Sequence, residues 1–170
     1  EAHTDAVFLD NAGPPPFPHV ALAVSGGHSS IFLVRGHLER ELVGFTMDDA
    51  AGEAFDKVAK RMGLPYPGGV AIDRVARAGD RRAIAFPRPR IAAKPHLFSF
   101  SGLKTAVCVH LDNLGRDLDE RETADVAASF QEAVCDVLVD RTLDAAHRHG
   151  CAHAVVSGGV AANSRLRERF

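Results

Sequence analysis

Ala21-Leu-Ala-Val-Ser25-Gly26-Gly27-His28-Ser29-Ser30, running on into Ile31-Phe-Leu-Val34, is the stretch that decides the fold. An apolar run enters a two-glycine turn and a second apolar run leaves it, the pattern of two buried strands. Adjacent glycines take backbone conformations closed to other residues and let a ligand come close. Exposed N–H groups at such a turn suit an anion. A single Gly-Gly turn mostly just joins strands. A second copy changes the balance: His153-Ala-Val-Val156 runs into Ser157-Gly158-Gly159-Val160, and a helix-like segment follows. Two strand–Ser-Gly-Gly units in one chain point to one ligand gripped from two sides.

Outward from this stretch the chain alternates. Upstream, Gly13-Pro14-Pro15-Pro16-Phe17-Pro18 cannot hold a helix and reads as an extended connector. Strands are expected at 20–24, 30–34 and 39–45. A helix is expected from Asp48 to Met62, with Ala51, Phe55, Val58 and Met62 on one stripe and a Glu53–Lys57 pair on its solvated side. Tyr66-Pro67-Gly68-Gly69 reads as a tight turn and 71–78 as a short helix. The stretch from Arg81 to Lys94 is the most basic of the chain. A solvated loop is the ordinary reading of it, an RNA contact the minority one. Leu97–Ser101 alternates like a strand, and 102–111 reads as a helix. The longest helix is expected from Glu120 to His149, with Val126, Phe130, Val134, Val137, Leu138 and Leu143 on its buried side. Gly150 stops it, a strand follows at 152–156, and Ser157-Gly158-Gly159 opens the last helix. His147 and His149, two apart, do not share a helix face and make a poor metal pair. The order is that of an α/β fold. Ligands in such folds sit at the carboxyl ends of strands, where both Ser-Gly-Gly turns lie.

Composition sets the bounds. The chain has 170 residues, 46% hydrophobic and 25% charged, ordinary for a globular domain. A net charge of -2 gives no global basic field, so any nucleic acid meets a local patch or a partner's help. Cys108, Cys135 and Cys151 are odd in number and form no Cys-x-x-Cys pair, which reads as buried reduced thiols in a cytoplasmic protein. No apolar run approaches the ~20 residues of a membrane span. The ends, Glu1 without a Met and Arg165–Phe170 inside a helix just begun, read as those of a piece of a longer protein.

Five blocks stand in the order and spacing of one family: Val24–His28, Asp48–Lys57, Tyr66–Gly69, Phe98–Lys104 and Ser157–Asn163. Together they resemble TsaD, the universal tRNA threonylcarbamoyl transferases, over nearly the whole chain. The resemblance implies a lobe of the actin/sugar-kinase/Hsp70-like (ASKHA) type, an RNase H-like sheet with flanking helices. Residues 1–19 would then close an N-terminal lobe and connect it to a second lobe over 20–170, truncated at its C-terminal end. The implied reaction moves a threonylcarbamoyl group from threonylcarbamoyl-AMP to N6 of the adenosine 3′ of the anticodon, in tRNAs reading codons that start with A. The implied cofactor is one divalent metal, iron or zinc, and the implied protein partners are TsaB and TsaE.

Residue by residue, the resemblance assigns substrate contacts to Ala23, Val24, Ser25, Gly26 and Gly27 at the first turn. It assigns the nucleotide part to Asp56, Gly69 and Asp73, and the adenylate to Asn163. A carboxylate accepts from ribose hydroxyls while glycine N–H groups face phosphate. Without the resemblance, Asp56 is a helix-face acid and Asn163 a helix N-cap. Glu1-Ala2-His3 matches the tail of the family's metal motif, with Ala2 where glycine is commoner, and makes His3 a metal ligand. The other ligands fall outside these 170 residues, and one is too few to hold an ion. No general base is assigned. Two other readings stand beside the transferase: another ATP-dependent kinase or carbamoyltransferase of the same superfold, and a non-catalytic scaffold relative.

Overall fold

The large side chains of Val20, Leu22 and Val24 alternate with Ala21 and Ala23, which sends them to one face of a strand. In the computed structural model, which describes residues 15–91 and 96–170, this strand is β1 (His19–Val24). It pairs antiparallel with β2 (Ser29–Gly36), which pairs antiparallel with β3 (Glu39–Phe45). The fourth strand, β4 (Ala154–Ser157), comes from the far end of the sequence and lies parallel to β1, giving the order β3-β2-β1-β4. The two Ser-Gly-Gly turns therefore leave the same end of the sheet from neighbouring strands, with Ala23 opposite Ser157.

The helices are α1 (Ala51–Arg61), α2 (Gly68–Ala76), α3 (Ser101–Leu114), α4 (Glu120–Arg148) and, after a 3-10 turn at Gly159–Ala162, α5 (Ser164–Arg169). The core joins Val20, Leu22, Val24 and Ile31 of the sheet to Phe55, Ile72, Leu103, Phe130 and Leu138 of the helices. Phe130 meets Phe55 edge to face, with centroids 5.3 Å apart. α4 is about 44 Å long at 1.5 Å per residue. Its start is set by a capping box: the Asp119 carboxylate accepts from the Glu122 N–H and the Glu122 carboxylate accepts from the Asp119 N–H. Gly150, at φ +66, ends it as expected.

Several boundaries differ from expectation, for identifiable reasons. α1 starts at Ala51 rather than Asp48 because both aspartates before it are committed to α3. The Asp48 carboxylate accepts from the N–H groups of Phe100 and Ser101 (2.8 and 3.2 Å) and from the hydroxyls of Ser99 and Ser101 (2.6 and 2.7 Å). Asp49 pairs with Lys104 and Lys57. For the same reason Leu97–Ser101 is not a strand. Asp48 gathers its end into the first turn of α3, leaving a single bridge between Thr46 and Phe98. α2 starts at Gly68, not at residue 71. β4 and α5 are shifted too, and Asn163 rather than the second Ser-Gly-Gly opens α5. Leu143 is 52% exposed, not buried; that end of α4 packs through Thr142, Ala145 and Ala146.

Cys135 alone among the three free thiols is buried, and burial pushes its thiol up; Cys108 and Cys151 are half-buried. The basic loop is strapped along α4 and α5 by Arg88–Asp136, Arg90–Asp140 and Arg81–Glu168 pairs, so three of its cations already have acids. Lys94 lies outside the described residues. Among those described, no helix is long and apolar enough to cross a membrane.

Candidate functional site

The first Ser-Gly-Gly turn is held from below by α1. Gly52 sits so close to it that a Cβ would lie 2.6 Å from the Ser25 carbonyl oxygen and 2.7 Å from the Gly26 Cα. That approach is why a glycine stands in the first turn of α1. The Gly52 N–H donates to the Ser25 carbonyl (3.2 Å), and the Ala51 N–H to the buried Ser29 hydroxyl (2.9 Å). Gly26 and Gly27 are exposed, and their N–H groups have no acceptor among the described residues. The second turn is pressed against β1 at Gly158. Its φ of +98 and a would-be Cβ 2.3 Å from the Val24 carbonyl oxygen both exclude a side chain there.

Between these turns and helices α1 and α2 lies a cavity of about 420 Å³, within the range of small-molecule sites. Of the residues expected to touch substrate, Gly26, Asp56, Gly69, Asp73 and Asn163 line it. The expectation of one shared cleft holds, since Gly26 and Gly159 both face it. The turns are neighbours, however, and the wall opposite them is made by α1 and α2. Ala23 and Val24 are buried in the sheet, and neither they nor Ser25 nor Gly27 lines the cavity. His3 lies outside the described residues. Among those described, no three His, Cys, Asp or Glu side chains converge to hold a metal ion, so they do not fit one.

The polar groups of the cavity are partly committed to the protein. One Asp56 oxygen accepts from the Gly68 N–H at 2.8 Å, fixing the Tyr66–Gly69 turn against α1. One Asp73 oxygen accepts from the N–H and hydroxyl of Ser164 (3.2 and 2.7 Å), joining α2 to α5 beside the cavity, and Arg77 lies 3.5 Å from the other. Asn163 caps α5 by accepting from the Leu166 N–H (3.0 Å) and donates to the buried Gln131 side chain of α4 at 2.7 Å. It is thus an N-cap and a cavity residue at once. Asp56 and Asp73 are the charged residues lining the cavity, with no Lys or Arg among them.

Tyr66, Val70, Phe55 and Val160 line it too and were not anticipated. The signal available for Tyr66 was its place beside Pro67-Gly68-Gly69; Phe55 and Val160 look like core in the sequence.

Comparison with known proteins bears on what this cavity serves. The model of a family described as TsaD, tRNA N6-adenosine threonylcarbamoyltransferase, matches residues 1–170. A curated protein of that name from Geobacter sp. (strain M21) is 55% identical over 169 residues, 98% of this chain and 48% of its own length. One from Syntrophus aciditrophicus (strain SB) is 52% identical over 171 residues, 100% of this chain and 49% of its own. The chain spans about half the length of the curated relatives it matches. Among solved structures, the activator of the 2-hydroxyisocaproyl-CoA dehydratase from Clostridium difficile, with bound ADPNP, aligns with a TM-score of 0.50. It is 15% identical and covers 91% of this chain and 50% of that one. At that identity the likeness speaks for the fold: a mixed sheet with flanking helices, of the ASKHA type.

Proposed function

The chain belongs to the TsaD family of tRNA N6-adenosine threonylcarbamoyltransferases, and from that premise we propose that it forms one wall of the site where threonylcarbamoyl-AMP gives up its acyl group to tRNA. The observation that carries this reading is the gathering of Gly26, Asp56, Gly69, Asp73 and Asn163, distant in sequence, around one cavity at the carboxyl ends of β1 and β4. The free N–H groups of Gly26 and Gly27 face the phosphate and acyl end, through the backbone of the Ala23–Gly27 turn. Asp56, Gly69 and Asp73 hold the nucleotide part, and Asn163 contacts the adenylate.

The reaction asks mainly for orientation. The N6 amine of the tRNA adenosine attacks the carbamoyl carbon. A carbon–nitrogen bond forms, the bond from that carbon to the phosphate oxygen breaks, AMP departs with the electron pair, and one amine proton is released. Negative charge developing on the carbamoyl oxygen is the kind that backbone N–H groups stabilise. Residues 20–170 act here as the second lobe of a two-lobed enzyme, with 1–19 as the end of the first and the connector. The divalent metal, iron or zinc, belongs to the assembled longer chain, with His3 as one ligand. TsaB- and TsaE-type proteins are the partners, and the cytoplasm is the place of action.

The test restores the native flanking sequence and supplies those partners, tRNA and threonylcarbamoyl-AMP. Threonylcarbamoyladenosine in the digested tRNA, detected by mass spectrometry, is the expected result. Intact adenylate and unmodified tRNA would instead send the assignment back to the scaffold or kinase readings.

A further inference from the structure

Resting on the adenylate reading, we propose that Tyr66 and Val70 form a stacking wall for the nucleobase, so that this cavity takes a purine nucleotide through an aromatic contact at its outer end. The cavity has a direction, set by α1. Gly52 lies against the Ser25–Gly26 turn, whereas Asp56, four residues and about 6 Å further along the helix, meets Gly68 beside Tyr66. The Gly26 backbone thus stands at one end and the aromatic ring at the other, with the Asp56 carboxylate on the aromatic side. One Asp56 oxygen is bound to Gly68; the second has no donor among the described residues and is free to accept from a ribose hydroxyl.

The outer end is unusual for a protein surface. Tyr66 is 83% exposed and Val70 68% exposed, and both line a cavity whose floor includes Phe55. An aromatic ring beside an aliphatic side chain offers a base a flat apolar face, and base–aromatic stacking tolerates any π-face it meets. With no cation lining the cavity, a bare phosphate has little to hold it beyond glycine N–H groups. A ligand that also carries a planar base gains most from these walls.

The experiment titrates AMP and ribose 5-phosphate, separately, into the full-length protein and its Tyr66→Ala, Tyr66→Phe and Tyr66→Trp variants by calorimetry. The exposed position of Tyr66 leaves the fold intact in all three. Tyr66→Ala is expected to weaken AMP binding about tenfold or more, Tyr66→Phe and Tyr66→Trp to stay within about threefold of wild type, and ribose 5-phosphate to bind all four proteins alike. AMP binding unchanged in Tyr66→Ala would overturn the stacking wall, and so would an equal loss for AMP and ribose 5-phosphate, which marks a structural role. A wild-type protein that does not bind AMP overturns the nucleotide reading and the wall with it. Selective loss of AMP in Tyr66→Ala supports the wall even where the tRNA transfer assay fails, so the two readings fall separately.

Discussion

At the scale of single residues, Asp56 has two tasks that substitution can separate. Its bond to the Gly68 N–H anchors a turn, and its other oxygen faces the cavity. Asp56→Ala removes both and is expected to lower stability by about 1 kcal/mol, the net worth of one partly buried hydrogen bond. Asp56→Asn keeps an acceptor for Gly68 and is expected to stay within a few tenths of wild type. Both should weaken AMP binding about tenfold in the full-length protein, read by calorimetry beside denaturant unfolding. Wild-type affinity in Asp56→Asn would remove the carboxylate from the site. The sequence made Asp56 one acid on a helix face, and only the motif around it singled it out. The anchor to Gly68 was illegible, because it joins residues twelve apart across a turn that no periodicity describes. The same holds for Gln131, one amide on the buried side of a long helix, whose role appears only when Asn163 arrives beside it.

At the scale of elements, α4 was the most legible and Leu97–Ser101 the least. α4 carries its own punctuation, Asp119 and Glu122 at the start and Gly150 at the end, and local chemistry fixed both ends. The Leu97–Phe100 alternation is real, since Phe98 and Phe100 are both fully buried. Alternation sorts side chains by face but supplies no neighbouring strand, and four hydrogen bonds to Asp48 claimed the end of the segment for α3. What α4 contributes to the core can be measured at Phe130, fully buried against Phe55. Phe130→Ala is expected to cost about 3–5 kcal/mol in urea unfolding, while Leu143→Ala, on the exposed side of the same helix, should cost less than about 1 kcal/mol. Equal losses at the two positions would mean that α4 does not pack as described.

At the scale of the whole molecule, acids tie together parts of the chain that are far apart in sequence. Burial alone would raise the carboxyls of Asp48 and Asp49. Serine hydroxyls and backbone N–H groups for the first, and Lys104 and Lys57 for the second, outweigh it and hold both below their usual range. Arg165 lowers Glu132 in the same way. Burial lowers His19 and His96 and favours their neutral forms. Every one of these groups binds protons more weakly folded than unfolded, so each stabilises the protein above its unfolded pKa and loses that contribution as pH falls. The urea midpoint is expected to hold between about pH 7 and 8, to slip below about 6.5 as the histidines charge, and to drop steeply below about 4. A midpoint level from pH 7 down to pH 3 would contradict these ties. The bridge from Asp73 to Ser164 has a further consequence. Because α2 and α5 are already fastened to each other beside the cavity, an arriving ligand finds this part of the wall in place. Little chain order then has to be created on docking, and differences in affinity between ligands fall on how slowly each one leaves.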